Sequence, residues 1–336
     1  MTKLKLALYW ASSCGGCEIA VLDTNEKILD VVAIADIVLW PVAVDFKYHH
    51  IEAMPDSAID VCLFNGAIRS SEHEKVAKLL RAKSKVMAAF GSCACFGGIP
   101  SLGNLTNRAE IFHTVYEEAP SNENPSRTVP KTATTVDGHH LELPETYDTV
   151  MTLEQVVPVE YFIPGCPPTV DLILKVVSAL ANNSLPPPGT VIASDKSLCE
   201  ECYRKKEDKK ITRVWRPHQI VPDPEKCLLE QGVICCGPAT RGGCGALCIK
   251  ANMPCEGCFG PPAGVLDQGA KLVSAIASIY QASGEEDVSR MLDEIVDPVG
   301  RFYRFGLAHS LLRRKRMTPP GTLSAAKQPL AEVTAR

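Results

Sequence analysis

The chain has 336 residues, with 35 Lys and Arg residues against 39 Asp and Glu residues. Its length exceeds what a single hydrophobic core usually needs, so we expect two domains, or one large domain with an appendage. The nearly balanced charge excludes the strongly basic surface that attracts nucleic acids or lipid phosphates, and we expect neither partner.

The first part of the chain alternates between strand and helix patterns. Apolar runs predict strands at residues 5–10, 31–40, 58–68, 85–90 and 157–163. Helical spacing predicts helices at residues 18–29, 72–82 and 169–181. This alternation is typical of an α/β fold, and we expect a flavodoxin-like, doubly wound parallel sheet. Residues 120–150 lack periodicity and are predicted to form an insertion or a long surface loop.

Three consecutive prolines in NNSLPPPG (182–189) end the last of these helices and mark a domain boundary. Residues 190–262 are rich in Cys, Gly and Pro and show little periodicity, so metal centres would have to replace a conventional core there. A helix is predicted around residues 264–282, followed by a charged helical stretch. We predict a flavodoxin-like domain at 1–185, a cysteine-rich, irregular domain with a few helices at 186–316, and a tail at 317–336.

The chain contains 15 cysteines, whose state depends on the compartment. The sequence begins MTKLK and enters a predicted strand at once, without the apolar segment of a secretory leader. No run of about 18 apolar residues is present, so we expect no membrane span and a cytoplasmic protein. A reducing compartment disfavours disulfides, and the odd count leaves at least one cysteine unpaired. Ligation of metal ions or iron–sulfur clusters is therefore the leading interpretation.

Four cysteines of the first half follow predicted strands. They are Cys14 and Cys17 in CGGC, Cys93 in GSCA and Cys166 in PGCPP. Doubly wound folds bind ligands beyond the carboxyl ends of their strands, so we expect these four thiols to converge. Four thiolates suit either zinc or a [4Fe–4S] cluster. The glycines of CGGC would let the backbone wrap a cluster, and backbone amides could donate hydrogen bonds to its sulfur.

The second half carries two further groups of four cysteines. One group is Cys199, Cys202, Cys227 and Cys235, and the other is Cys244, Cys248, Cys255 and Cys258. Stacked zinc knuckles would explain these groups but not a thiol set at the ligand-binding edge of a sheet, so iron–sulfur clusters are favoured. Of the other three cysteines, Cys62 lies within a strand and is predicted to be a buried apolar residue. Cys95 and Cys236 adjoin assigned residues and remain alternatives to them.

Together these motifs resemble the small, electron-transferring subunit of [NiFe] hydrogenases, from about residue 4 to residue 316. Most similar is the cytoplasmic methyl-viologen-reducing, or F420-non-reducing, type that associates with heterodisulfide reductase. The resemblance rests on CGGCE (14–18), GSCA (91–94), PGCPP (164–168), CCGPATRGGC (235–244), PCEGC (254–258) and DPVGRFYR (297–304).

The resemblance implies three [4Fe–4S] clusters. It assigns the proximal cluster to Cys14, Cys17, Cys93 and Cys166, the medial cluster to Cys244, Cys248, Cys255 and Cys258, and the distal cluster to Cys199, Cys202, Cys227 and Cys235. The Cys-x-Gly-Pro context selects Cys235 over Cys236. Periplasmic members are similar but carry a histidine at the position of Cys199 and a non-cysteine at that of Cys248. Full cysteine ligation implies [4Fe–4S] at both places and tends to lower the distal potential.

The resemblance also implies partners. Hydrogenase large subunits hold nickel between two C-x-x-C pairs at opposite chain ends, which this sequence lacks. Hydrogen chemistry would therefore occur in a partner large subunit, and we assign no catalytic residue to this chain. An iron–sulfur adaptor of the delta type would lead electrons onward to a heterodisulfide reductase complex.

Two alternative functions and the role of Glu18 remain open at the level of sequence. An electron-transfer subunit similar to the 20 kDa subunit of respiratory complex I would share the first-half fold but lack the cysteine-rich second half. A zinc-stabilised interaction protein would have no redox role. Glu18, which follows Cys17, is either a proton relay or an ordinary carboxylate in the first turn of a helix.

Overall fold

The computed structural model describes residues 3–315. Its strands are β1 (Leu4–Trp10), β2 (Ala35–Leu39), β3 (Ile59–Asn65), β4 (Ile68–Ser70), β5 (Ser84–Phe90), β6 (Ala133–Val136), β7 (His139–Glu142), β8 (Thr146–Met151), β9 (Tyr161–Ile163) and β10 (Thr190–Val191). Its α-helices are α1 (Gly16–Leu22), α2 (Ile28–Ile34), α3 (Tyr48–Glu52), α4 (Ser71–Lys83), α5 (Ser92–Phe96), α6 (Arg108–His113), α7 (Val170–Ala181), α8 (Leu247–Lys250), α9 (Gln268–Ile279), α10 (Glu285–Glu294) and α11 (Pro298–Phe302).

The main sheet contains six strands in the order β10-β9-β5-β3-β1-β2. All five neighbouring pairs are parallel. After β1, the chain forms β2 at one edge of the sheet. It then crosses to the other side of β1 and adds β3, β5, β9 and β10 in turn. This strand order is that of flavodoxin-like folds, and the reversal creates a crevice at the carboxyl ends of β1 and β3. The predicted fold class is confirmed.

Apolar residues cover both faces of the sheet, as the buried strands of a parallel sheet require. Within β3, Cys62 and Phe64 point into one core, and Val61 and Leu63 point into the other. Cys62 is fully buried, as predicted, and burial raises the pKa of its thiol to about 12. Among residues 3–315, no helix is long and apolar enough to cross a bilayer.

The predicted helix at 18–29 and the predicted strand at 31–40 are partly wrong. Helix α1 ends at Leu22, a 3₁₀ turn spans Asn25–Lys27, and α2 continues to Ile34 before the second strand begins. The break arises because the Thr24 hydroxyl binds the Val21 carbonyl at 2.7 Å and Asn25 adopts a left-handed conformation. Residues 31–34 are then helical, although β-branched residues there favoured a strand.

The predicted insertion at 120–150 contains regular structure. Strands β6 and β7 form an exposed antiparallel hairpin, and β8 pairs antiparallel with β4. Strand β9 is shorter than the predicted 157–163, in keeping with Pro158, which has no N–H to donate to a ladder. The two-residue strand β10 extends the sheet beyond the three prolines and was not predicted.

The cysteine-rich part of the chain has little regular structure. Between residues 192 and 262, the helical elements are α8 and three 3₁₀ turns of three residues each. A third apolar core forms there from cysteines, aliphatic side chains and one face of α9. Helices α9 and α10 confirm the predicted helix and charged helical stretch. The predicted tail at 317–336 lies outside the described residues.

The last described segment returns to the first half of the chain. The Gly98 amide donates to the Phe305 carbonyl at 3.0 Å, and the Lys315 amide donates to the Asn104 carbonyl at 2.9 Å. The fully buried Asn104 side chain donates to the carbonyls of Val150 and Arg313, both at 2.9 Å, and accepts from the Val150 amide at 2.7 Å. Asn104 thus joins β8 to this returning segment.

Replacing Asn104 with alanine should therefore lower the free energy of unfolding by about 2 to 4 kcal/mol, because two buried backbone groups of Val150 and the half-buried Arg313 carbonyl lose their partner. Urea unfolding monitored by circular dichroism measures the change. Asn122→Ala is the matched control, since the exposed Asn122 donates a single hydrogen bond, to Val115. The control should change stability by no more than about 0.5 kcal/mol. Equal effects of the two substitutions would contradict the structural role of Asn104.

Candidate iron–sulfur cluster sites

The first set of four thiols lies at the carboxyl edge of the main sheet. Cys14 and Cys17 follow β1, Cys93 follows β5, and Cys166 follows β9. Burial is the main cause that raises the pKa of Cys17, and the neighbouring thiols of Cys93, Cys166, Cys95 and Cys14 contribute further in that order. Burial likewise raises the pKa of Cys93 to about 12, again with contributions from Cys166 and Cys14. The structure thus brings all four together.

Glycines make room for these sulfur atoms. Gly91 has φ 85°, and a Cβ built on it would overlap Cys17 Sγ. Gly98 has φ 55°, and a Cβ there would overlap the Cys93 side chain. Larger residues are therefore excluded at both positions by backbone conformation and by contact with sulfur. In the CGGC loop, the Gly16 amide donates to Cys14 Sγ at 3.4 Å.

The second set lies in the cysteine-rich part and lines a single pocket. Cys199, Cys202, Cys227 and Cys235 all contribute to its wall, together with apolar side chains and the cations Arg204 and Lys206. Burial raises the pKa of Cys199 to about 11, Lys206 opposes this rise, and the thiols of Cys227 and Cys202 add to it. Burial also raises the pKa of Cys235 to about 12.

The third set lies between the other two. Burial raises the pKa of Cys258 to about 12, and the neighbouring thiols of Cys244 and Cys248 add to the rise. Burial raises the pKa of Cys255 as well, and the neighbouring thiols of Cys235, Cys236 and Cys258 add to the rise in that order. Cys248 is exposed in α8, whereas Cys255 is buried. Cys258 thus neighbours the other three cysteines assigned from sequence to the medial cluster, and Cys255 also adjoins Cys235 of the second set.

The three thiol sets lie next to one another in series. The Cys166 backbone of the first set lies beside the Cys258 thiol of the third set and opposes the rise of its pKa. The Cys255 amide of the third set donates to Cys235 Sγ of the second set at 3.3 Å. In addition, the buried Ser92 hydroxyl donates to the Cys258 carbonyl. Residues of adjacent sets are therefore in contact.

The remaining cysteines have other environments. Cys95 is fully buried in the apolar core on one face of the sheet, and its thiol donates to the Ala89 carbonyl at 3.3 Å. Cys236 is buried beside Cys235 and contacts the Arg301 carbonyl at 3.9 Å. Each thiol faces a backbone carbonyl, which favours the assigned cysteines over these two neighbours as ligands.

A zinc ion and an iron–sulfur cluster require different distances between the four sulfur atoms of a set. Among residues 3–315, no three His, Cys, Asp or Glu side chains are close enough to hold a single metal ion. Zinc binds thiolates at about 2.3 Å, which places four tetrahedral sulfurs about 3.8 Å apart. A [4Fe–4S] cluster binds each thiolate through a different iron and so holds them farther apart.

Glu18 is buried, which neither interpretation of the sequence predicted. The Trp40 indole donates to one of its carboxylate oxygens, and the Asn65 amide donates to the other at 3.4 Å. Burial raises the pKa of Glu18, and these two hydrogen bonds oppose the rise. The carboxyl group thus ties α1 to Trp40, which follows β2, and to Asn65, at the end of β3.

Two polar residues at the sites were missed by sequence reasoning. Ser92 binds the Cys258 carbonyl and so joins the third thiol set to the sheet. Its position beside Cys93 in GSCA was the sequence feature that could have identified it. Arg204 lies in the wall of the second set's pocket, two residues after Cys202. Its sequence neighbours Lys205 and Lys206 are exposed, so the sequence alone suggests an exposed basic segment in which Arg204 does not stand out.

Known proteins resemble both halves of the chain. The family model described as "NADH ubiquinone oxidoreductase, 20 Kd subunit" matches residues 14–180, and thus the half that carries the first thiol set. The iron–sulfur subunit of the F420-non-reducing hydrogenase of Archaeoglobus profundus is 40% identical, over 93% of this chain and 98% of that protein. The corresponding F420-non-reducing hydrogenase subunit of Methanothermobacter marburgensis is 37% identical, over 93% of this chain and 97% of that protein.

Among solved structures, the [NiFeSe] hydrogenase of Desulfovibrio vulgaris Hildenborough is 17% identical, over 84% of this chain and 99% of that chain, with a TM-score of 0.49. The family assignment rests instead on the relatives in sequence, which cover the cysteine-rich half that the 20 kDa family model leaves out. The chain belongs to the family of iron–sulfur subunits of F420-non-reducing hydrogenases.

Proposed function

We propose that this chain conducts electrons from the H2-oxidising nickel–iron site of a partner large subunit, through three [4Fe–4S] clusters, to an iron–sulfur or flavin partner such as heterodisulfide reductase. Each H2 oxidised in the large subunit yields two protons and two electrons. The two electrons cross this chain one at a time and reduce the acceptor. Membership of the hydrogenase family supports the electron-transfer role and the iron–sulfur character of the cysteines.

The observation that carries the proposal is the serial arrangement of the three thiol sets. A scaffold that used metals only for stability would not need its sites in contact, whereas electron transfer by tunnelling requires short gaps. The Cys166 backbone beside the Cys258 thiol and the Cys255 amide at Cys235 Sγ support short gaps between adjacent sets. We assign the proximal cluster to Cys14, Cys17, Cys93 and Cys166, the medial to Cys244, Cys248, Cys255 and Cys258, and the distal to Cys199, Cys202, Cys227 and Cys235.

The chain's own groups fit such clusters chemically. Most of the assigned thiols are buried or half-buried, so water is largely excluded, and backbone amides donate to Cys14 and Cys235. Hydrogen bonds to sulfur and exclusion of solvent are the means by which a protein sets cluster potentials. When bound, the clusters supply one-electron oxidation and reduction.

The partners follow from where the sets reach the surface. Cys14 and Cys166 of the first set are exposed, which supports contact with the large subunit there. The second set, at the other end of the series, would then face a delta-type adaptor and a heterodisulfide reductase complex in the cytoplasm. We further propose that residues 1–185 and 186–316 act as the proximal and the medial–distal cluster domains.

Metal analysis of the anaerobically purified complex tests the proposal. We expect about twelve iron and twelve acid-labile sulfide per chain, after the share of partners is subtracted, because three cubane clusters hold four of each. Low-temperature EPR of the reduced sample should show three interacting centres. Two or three zinc ions per chain with negligible iron would overturn the electron-transfer function and leave a structural scaffold.

A further inference from the structure

A buried cation lies in the wall of the pocket lined by Cys199, Cys202, Cys227 and Cys235. Arg204 is only 6% exposed, and it lines this pocket together with the four cysteines. Burying a guanidinium group is costly unless it is paired and all its N–H groups have acceptors. The contacts of Arg204 therefore indicate what else the pocket must hold.

The protein itself satisfies Arg204 only in part. One terminal nitrogen donates to the carbonyls of Asp223 and Lys226, at 2.7 and 2.9 Å, and the other donates to Asn252 Oδ1 at 2.5 Å. The adjacent Tyr203 ring lies 5.9 Å from the guanidinium carbon. All of these partners are neutral. Within residues 3–315, the Nε atom has no acceptor, and no carboxylate forms an ion pair with Arg204.

We propose that Arg204 is a positioning residue whose Nε–H donates to anionic sulfur at the distal site and whose charge raises the reduction potential there. The inference rests on the proposed function, because four cysteine thiolates around a cluster supply the anion that the guanidinium lacks. Reduction adds one more negative charge to the pocket, and a fixed cation stabilises the reduced state more than the oxidised one.

This role opposes the effect of Cys199. A thiolate in place of a neutral imidazole lowers the potential of the distal site, and Arg204 offsets part of that negative charge from within the pocket wall. Lys206 lines the same pocket and lowers the pKa of Cys199, but its side chain is exposed, so water and salt screen its charge. Of the two cations, the buried one should dominate the potential.

The test is a redox titration followed by EPR on the complete hydrogenase complex carrying Arg204→Gln, Arg204→Lys or Lys206→Gln. The distal signal is identified as the one altered by Cys202→Ser. Arg204→Gln should lower the distal midpoint potential and leave the other two unchanged. Arg204→Lys, which keeps the charge but loses the Nε–H, should give a smaller downward shift. Lys206→Gln should shift the midpoint several-fold less than Arg204→Gln.

The inference would be overturned if the distal midpoint potential of Arg204→Gln did not shift, or shifted no more than that of Lys206→Gln. Full iron content in these variants would still support the proposed function. A second measurement on the unsubstituted complex covers the case in which the variants lose the distal cluster. With ¹⁵N-labelled arginine, pulsed EPR should detect a nitrogen coupling to the distal centre across the Nε–H···S contact. Absence of that coupling would also overturn the inference, whereas low iron in the unsubstituted complex would instead overturn the proposed function.

Discussion

Replacing Cys166 with serine is expected to abolish H2-dependent dye reduction by the complete complex while the medial and distal EPR signals persist. Cys166 lies in the first thiol set, and its backbone lies beside the Cys258 thiol of the next set. The substitution therefore removes one of the four proposed proximal ligands. We expect a loss of more than about 100-fold, because even groups outside the ligand set cost 10- to 100-fold.

Cys95→Ala is the matched control for this loss. Cys95 lies close to Cys93, but its thiol is fully buried in an apolar core and donates to the Ala89 carbonyl. Its replacement should leave the iron content and dye reduction near those of the parent complex. Retained coupling with all three signals intact in Cys166→Ser would refute the proximal assignment, as would selective loss of the proximal signal in Cys95→Ala.

The first thiol set was predictable because it follows a rule of topology. In a doubly wound sheet, loops at the carboxyl ends of neighbouring strands meet, so cysteines after β1, β5 and β9 had to be close once the fold class was known. The serial contact of the three sets was not predictable. It depends on Cys166 meeting Cys258, and no local pattern reports how such distant segments pack.

Local competition explains the errors in the elements. Residues 28–34 combine β-branched side chains with helical spacing. The turn at Thr24 and Asn25 precedes them, and they form a helix. Strand β10 has two residues and owes its conformation to pairing with β9, so its own sequence carries almost no signal. Pairing between distant segments also orders β8, whose partner β4 lies far earlier in the chain.

Buried polar residues were the least predictable part of the sites. Arg204 and Glu18 resemble ordinary surface charges in sequence, because such side chains are mostly exposed in folded proteins. Their burial follows from the tertiary packing around the thiol sets, where each meets groups from other loops. Glu18 receives hydrogen bonds from Trp40 and Asn65, and Arg204 braces the backbone at Asp223 and Lys226.

Removal of iron is expected to unfold residues 192–262 while the main sheet remains folded. This segment has little regular structure beyond one four-residue helix and short 3₁₀ turns, so few backbone ladders hold it. A structural zinc ion contributes on the order of 10 to 16 kcal/mol to the folding of a zinc-finger peptide, against a net stability of about 5 to 15 kcal/mol for a whole domain. Loss of the two proposed clusters at a comparable cost would exceed what the third apolar core could offset.

Hydrogen exchange before and after anaerobic treatment with an oxidant and EDTA measures this effect region by region. Peptides covering 196–262 should lose most of their protection, whereas peptides from β1, β3 and β5 should keep theirs, because those strands lie between two large apolar cores. The sheet thus serves as the internal control. Unchanged protection of 196–262 after complete loss of iron would mean that its short turns and apolar core suffice. The clusters would then bind to a site that the folded chain forms without them, and the arrangement of the thiol sets would depend on the chain alone.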